Sequence, residues 1–130
     1  MTEKTLLHRQ VHPNWIQNNI VSLQVFATSQ VFSPTPKDEG HLSVYNGEKF
    51  SAEESYTHFL CNPECSSVGT LSVSISEVDE VGDLSSVEND YPFDGHCYID
   101  FNGVSTKGAL KKKSQKLRDL AMERGWTYKV

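Results

Sequence analysis

The feature that most constrains this chain is a change in its hydrophobic period. Along Thr70–Ser76, Leu71, Val73 and Ile75 alternate with serines, and along His96–Phe101, Cys97, Ile99 and Phe101 alternate with His96, Tyr98 and Asp100. A period of two marks a strand with one buried face and one wet face. Between about Ser105 and Arg124 the period lengthens, with Leu110, Leu117, Leu120 and Ala121 at helical spacing, lysines on the other face, and Gly125 placed to end the helix. Past that glycine, Trp126, Tyr128 and Val130 alternate, which predicts a final strand returning the helix onto a sheet.

The remaining segments extend this pattern. Thr5–Val11 reads as a strand ended by Pro13, and Ile20–Phe26 as a second strand after the turn pair Asn18-Asn19. The stretch from Ser33 to Gly40 holds Pro34 and Pro36 and reads as a loop, followed by a short strand Leu42–Tyr45 closed by Asn46-Gly47. Ser51 followed by Glu54 is a capping box that predicts a short helix from about Ala52 to about Leu60, with Tyr56, Phe59 and Leu60 on one side and Asn62-Pro63 as its stop. The order of elements predicts an α+β fold: a small, mostly antiparallel sheet with a short middle helix and a longer C-terminal helix followed by a final strand. At 130 residues, 37% of them hydrophobic, the expectation is a single domain over residues 1–130 with enough apolar material for one core. Its apolar runs fall far short of the ~20 residues that span a bilayer, and no export signal is read at its start, so no membrane association is expected. Three cysteines, an odd number, fit a reducing cytoplasmic setting better than a disulfide framework.

Charge is distributed unevenly. Residues 1–102 carry a formal charge of −11 and residues 103–130 a charge of +6. Between Glu77 and Asp100 lie eight acidic residues and no Lys or Arg, which reads as a solvated loop or as an acidic surface for a basic partner. Glu77, Asp79, Glu80 and Asp83 are the acidic binding candidates, and Lys111, Lys112, Lys113 and Lys116 the basic ones. With Arg118, those lysines are also candidates for nucleic-acid phosphates, although a nucleic-acid binder normally lacks so large an acidic counterweight.

Chemistry-bearing residues fall into three groups. His96, Tyr98 and Asp100 share one strand face at roughly 7 Å spacing, an arrangement that sets an imidazole near a phenol and a carboxylate for acid–base work. Locally bonded groups on one wet sheet face would look the same. Arg9 and His12 cluster with His8 near the N-terminus and complete the catalytic candidates. His58, Cys61 and Cys65 form H-x2-C-x3-C, but the spacing is not a tight zinc knuckle and no second pair exists, so buried thiols are expected rather than a metal. No Gly-rich phosphate loop, G-x-S-x-G elbow or H-E-x-x-H occurs, and no cofactor is expected.

Leu7-His8-Arg9-Gln10-Val11-His12-Pro13, the segment Phe32-Ser33-Pro34-Thr35-Pro36-Lys37-Asp38-Glu39 leading to Leu42-Ser43-Val44-Tyr45, and the ending Arg124-Gly125-Trp126-Thr127-Tyr128 resemble a group of short uncharacterised bacterial proteins. That resemblance spans most of the chain, carries no activity with it, and implies a bacterial cytoplasmic protein encoded within a larger multi-protein system. A weaker similarity is to ADP-ribosyltransferase-like domains, whose first-strand Arg or His matches Arg9 and whose aromatic-then-Ser/Thr pair matches Phe32-Ser33. Their late-strand Glu has only Asp100 as a counterpart. The missing catalytic motifs and the charge division favour a non-catalytic accessory or regulatory subunit that binds protein. The alternative is a small nucleotide- or nucleic-acid-acting enzyme working through Arg9, His12, His96, Tyr98 and Asp100.

Overall fold

The computed structural model describes residues 1–16, 27–35 and 39–130. The expected strand Ile20–Phe26 and its turn lie outside the described residues, as do residues 36–38 of the expected loop. In chain order the elements are β1 (Leu6–Gln10), β2 (His41–Asn46), α1 (Ala52–Leu60), β3 (Gly69–Ser74), α2 (Ile75–Val81), β4 (Ser85–Glu88), β5 (His96–Asp100), α3 (Lys107–Arg124) and β6 (Tyr128–Lys129). Short 3-10 turns occupy Pro13–Trp15 and Ser29–Phe32. The fold is α+β, and the strands of the described residues form one six-stranded antiparallel sheet in the order β4-β5-β2-β1-β3-β6. None of the described helices is long and apolar enough to cross a membrane.

Register decides which side chains share a face. Leu7 pairs with Val73, and Val44 and Leu42 pair with Cys97 and Ile99, so these residues point to one side. There they form the core with Phe101, with Val31 and Phe32 of the second 3-10 turn, with Val78 and Val81 of α2, and with Leu117 and Ala121 of α3. α3 starts at its Thr106 cap, whose hydroxyl accepts from the Ala109 amide, and ends at Gly125 with φ +88°, a conformation that favours glycine. Cys97 lies wholly inside this core, and burial pushes its thiol up to about 11.

The opposite face is polar and also covered. α1 lies across β1 and β3, and Gln10 donates to Ser55 Oγ (2.8 Å) while accepting from Ser67 and Thr70. His8 Nε2 donates to the Phe50 carbonyl (3.1 Å), so Nδ1 accepts from Ser72 Oγ (2.7 Å). Thr70 and Ser72 are fully buried, which corrects the expectation of a wet serine face on this strand. Thr70 and Ser72 are covered by α1 and the segment that enters β6, where Thr70 donates to the Ala52 carbonyl and Ser72 shares a hydrogen bond with Thr127, and a satisfied buried polar layer carries no desolvation penalty of the unpaired kind.

The same strand is shorter than its alternation predicts. The ladder ends at Ser74, paired with Leu6; the Ser74 hydroxyl accepts from the Glu77 amide while the Glu77 carboxylate accepts from the Ser74 amide, and Ile75 opens α2. The acidic run is therefore a helix, α2, and two strands, β4 and β5, rather than one solvated loop.

Candidate functional site

Arg9 belongs by alternation to the core side of β1, yet its guanidinium does not enter the core. β1 and β2 pair only at Leu7–Asn46 and His8–Tyr45. Beyond that point the strands are unpaired and Arg9 spans them, with Nε donating to the Val31 carbonyl (2.9 Å), a terminal nitrogen to the Ser43 carbonyl (2.9 Å), and its head 5.3 Å from the Trp15 ring centre. Beside it opens a cleft of about 260 Å³. Its floor is β1 and β2, one wall is Phe59 of α1, and the other is Pro92, Phe93 and His96 at the turn into β5.

Arg9 and His96 line this cleft together; His12, Tyr98 and Asp100 do not. His12 caps the first 3-10 turn, its Nδ1 accepting from the Asn14 amide, and lines a neighbouring depression with Arg9, Trp15 and Cys65. Tyr98 stacks on His41 at 4.0 Å, and Asp100 accepts from the Asn102 amide. His96 is oriented by Asn89, to whose Oδ1 its Nδ1 donates (2.7 Å), and partial burial holds the imidazole below its usual pKa. The three β5 side chains do share a face, but each spends a contact on a different local partner.

The aromatic cluster that includes Tyr45, Phe93 and His96 of the cleft, with Phe50 and His58 packed against them, was not legible as a group. Tyr45 lies 5.1 Å from Phe93 and 5.0 Å from Phe50, and Phe93 lies 4.4 Å from His58 and 5.3 Å from His96, all ring centre to ring centre. These are normal separations for offset and edge-on aromatic pairs. The Tyr45 hydroxyl shares a hydrogen bond with His58 Nδ1 (2.9 Å), and burial raises its pKa, with Cys65 and Cys61 adding to the effect, so the phenol stays neutral. Gly95 permits this packing, because a Cβ there would stand 2.5 Å from Phe50 Cε2.

The charged candidates divide into internal and exposed sets. Glu77 accepts from Arg124 (2.6 Å), and Lys113 donates to the Val81 carbonyl (2.8 Å) beside Asp83 (3.6 Å). These contacts hold α2 and its C-terminal loop to α3, which corrects the expectation that Lys113 lies on a solvated lysine face. Arg118, 15% exposed at its side chain, is paired with Asp119. Asp79, Glu80, Lys111, Lys112 and Lys116 remain exposed. A shallow groove of about 300 Å³ runs between α2 and α3, with Val81 and Leu120 in it and Glu80, Lys116 and Asp119 around them.

Cys61 is exposed, Cys65 half-buried and Cys97 buried, all as free thiols. Among the described residues no three His, Cys, Asp or Glu side chains are grouped to hold a metal ion, and His58 Nδ1 is engaged by Tyr45. Compared with known proteins, the chain matches no family model, no curated sequence and no solved structure.

Proposed function

We propose that this chain is a non-catalytic accessory or regulatory protein-interaction subunit, bacterial and cytoplasmic, that seats a polypeptide partner on its α2–α3 face. The observation that carries this reading is the groove between α2 and α3, where Val81 and Leu120 are bordered by Glu80, Lys116 and Asp119. An apolar centre with a charged border is the usual anatomy of a protein contact surface. Three free thiols support a reducing compartment.

The test uses the full chain to recover a partner and then compares association kinetics of the wild type with an Asp79→Asn, Glu80→Gln, Lys116→Gln variant. Exposed charges act mainly on encounter, so the variant should associate more slowly and with a flatter salt dependence while its melt is unchanged. A recovered partner whose association ignores the variant overturns the docking face.

A second reading, an enzyme acting on a nucleotide or nucleic acid, draws on one observation: Arg9 and His96 line the same cleft. Turnover of a nucleotide substrate that disappears in Arg9→Ala, with no partner recovered, would favour it over the interaction reading.

A further inference from the structure

The cleft between α1 and the turn into β5 has the dimensions of a ring site. At about 260 Å³ it exceeds the ~150 Å³ that encloses benzene in an engineered cavity. It falls just below the ~300 Å³ at which sites for drug-sized ligands begin. One or two fused rings fill such a volume. Tyr45, Phe59 and Phe93 supply aromatic surface on the floor and both walls, and rings prefer offset or edge-on contacts with other rings.

The polar lining narrows the ligand further. His8 uses both ring nitrogens on Ser72 and Phe50, and Gln10 is engaged at both ends of its amide, so these two groups fix the floor without offering a bond. His96 differs: Nδ1 donates to Asn89, which leaves Nε2 as a lone-pair acceptor with no hydrogen-bond partner among the described residues. Burial favours the neutral ring, which keeps that lone pair available near neutral pH. No described carboxylate lines the cleft, so nothing in its lining favours a cationic ligand.

We infer that this cleft is a binding site for a free one- or two-ring heteroaromatic small molecule, neutral or anionic, whose ring N–H donates to His96 Nε2 while its faces pack on Phe93 and Phe59 of the two walls. Binding there breaks no bond and requires nothing of the α2–α3 groove. It therefore stands or falls separately from the interaction reading.

Saturation-transfer NMR and titration calorimetry on the intact protein test it with indole, indole-3-carboxylate, 1-methylindole, tryptamine and N-acetyltryptophanamide as probes. Indole and indole-3-carboxylate should receive saturation at their ring protons. 1-Methylindole, which lacks the N–H, should bind about tenfold more weakly, as should tryptamine. Phe93→Ala should weaken indole about tenfold, with Phe93→Leu as the substitute if the alanine variant does not fold. His96→Phe keeps a ring in the wall but removes the acceptor, so it should abolish the preference for indole over 1-methylindole while both still bind. Saturation transfer to none of the probes, or unchanged indole affinity in the folded Phe93 variant, overturns the site. Tighter binding of N-acetyltryptophanamide than of indole assigns the ring to a polypeptide side chain and overturns the small-molecule ligand.

Discussion

His8 illustrates how far a single residue's role depends on what covers it. Alternation places it opposite Leu7, and the sequence suggests only a basic cluster with Arg9 and His12; the structure buries it at 4% exposure between Ser72 and Phe50. That burial lowers its pKa from 6.5, outweighing the Phe50 hydrogen bond, which acts in the opposite direction. A histidine whose folded pKa is depressed takes up protons preferentially in the unfolded chain. Its contribution to stability is therefore complete above about 6.5 and is lost as pH falls from there toward the folded value. His96 is shifted the same way and adds to the slope. The urea midpoint should drop between about pH 7.5 and about pH 5.5, a window above the titration of ordinary carboxylates. His8→Gln should flatten part of that drop, and an unchanged slope in this variant would show that His8 is not the titrating group. The catalytic candidates on β5 were legible as face-mates because alternation is local, whereas Asn89 orienting His96 comes from a loop that no periodicity marks.

Among the elements, helix α2 is where two local signals compete. Leu71, Val73 and Ile75 alternate as a strand, yet Ser74-Ile75-Ser76-Glu77 has the same S-x-x-E spacing as Ser51-Ala52-Glu53-Glu54, which starts α1. The reading by period extends the strand to Ser76; the cap ends it at Ser74, because two orphan amides are satisfied reciprocally there. The signal for α2 was thus present in the sequence and masked by the alternation on which the strand was read. Ser74→Ala should cost about 1 kcal/mol by chemical denaturation, while Ser74→Thr, which retains a capping hydroxyl, should cost less than half of that. Equal losses would mean that buried volume at this position matters more than the cap. The longer helix offered no such conflict: of its expected apolar positions, Leu117 and Ala121 are fully buried and Leu110 and Leu120 pack half-buried against the core. Leu117→Ala should accordingly cost about 2–5 kcal/mol as a cavity-forming change, read as a lower midpoint.

For the whole molecule, strand order and charge placement are what the linear sequence conceals. The sheet sets β1 between β2 and β3, so the cleft gathers residues from β1, β2, α1 and the turn into β5 that are as far apart in sequence as His8 and His96. No spacing rule reaches across such distances, and the aromatic lining therefore went unread while its separate elements did not. The charge division was plain in the sequence, with −11 over residues 1–102 and +6 over the rest, but its use was not. Folding lays basic α3 against acidic α2, and Glu77 meets Arg124 at 2.6 Å while Asp83 lies 3.6 Å from Lys113. Part of the polarity is thus neutralised inside the fold, and only the remainder stays on the surface. The Glu77–Arg124 contact is the better sheltered of the two, with side chains 18% and 30% exposed, and Arg124 also donates to the Ser72 carbonyl (2.9 Å). A double-mutant cycle of Glu77→Ala and Arg124→Ala should give a coupling energy of about 0.5–1.5 kcal/mol at low salt. Raising ionic strength to about 0.5 M shortens the screening length well below 8 Å and should shrink that coupling without abolishing it, since the bond is short and partly buried. A coupling indistinguishable from zero at low salt would mean that the Glu77–Arg124 ion pair plays no part in holding α3 to α2, and that the apolar face of α3 and the bond from Lys113 to the Val81 carbonyl hold the two together.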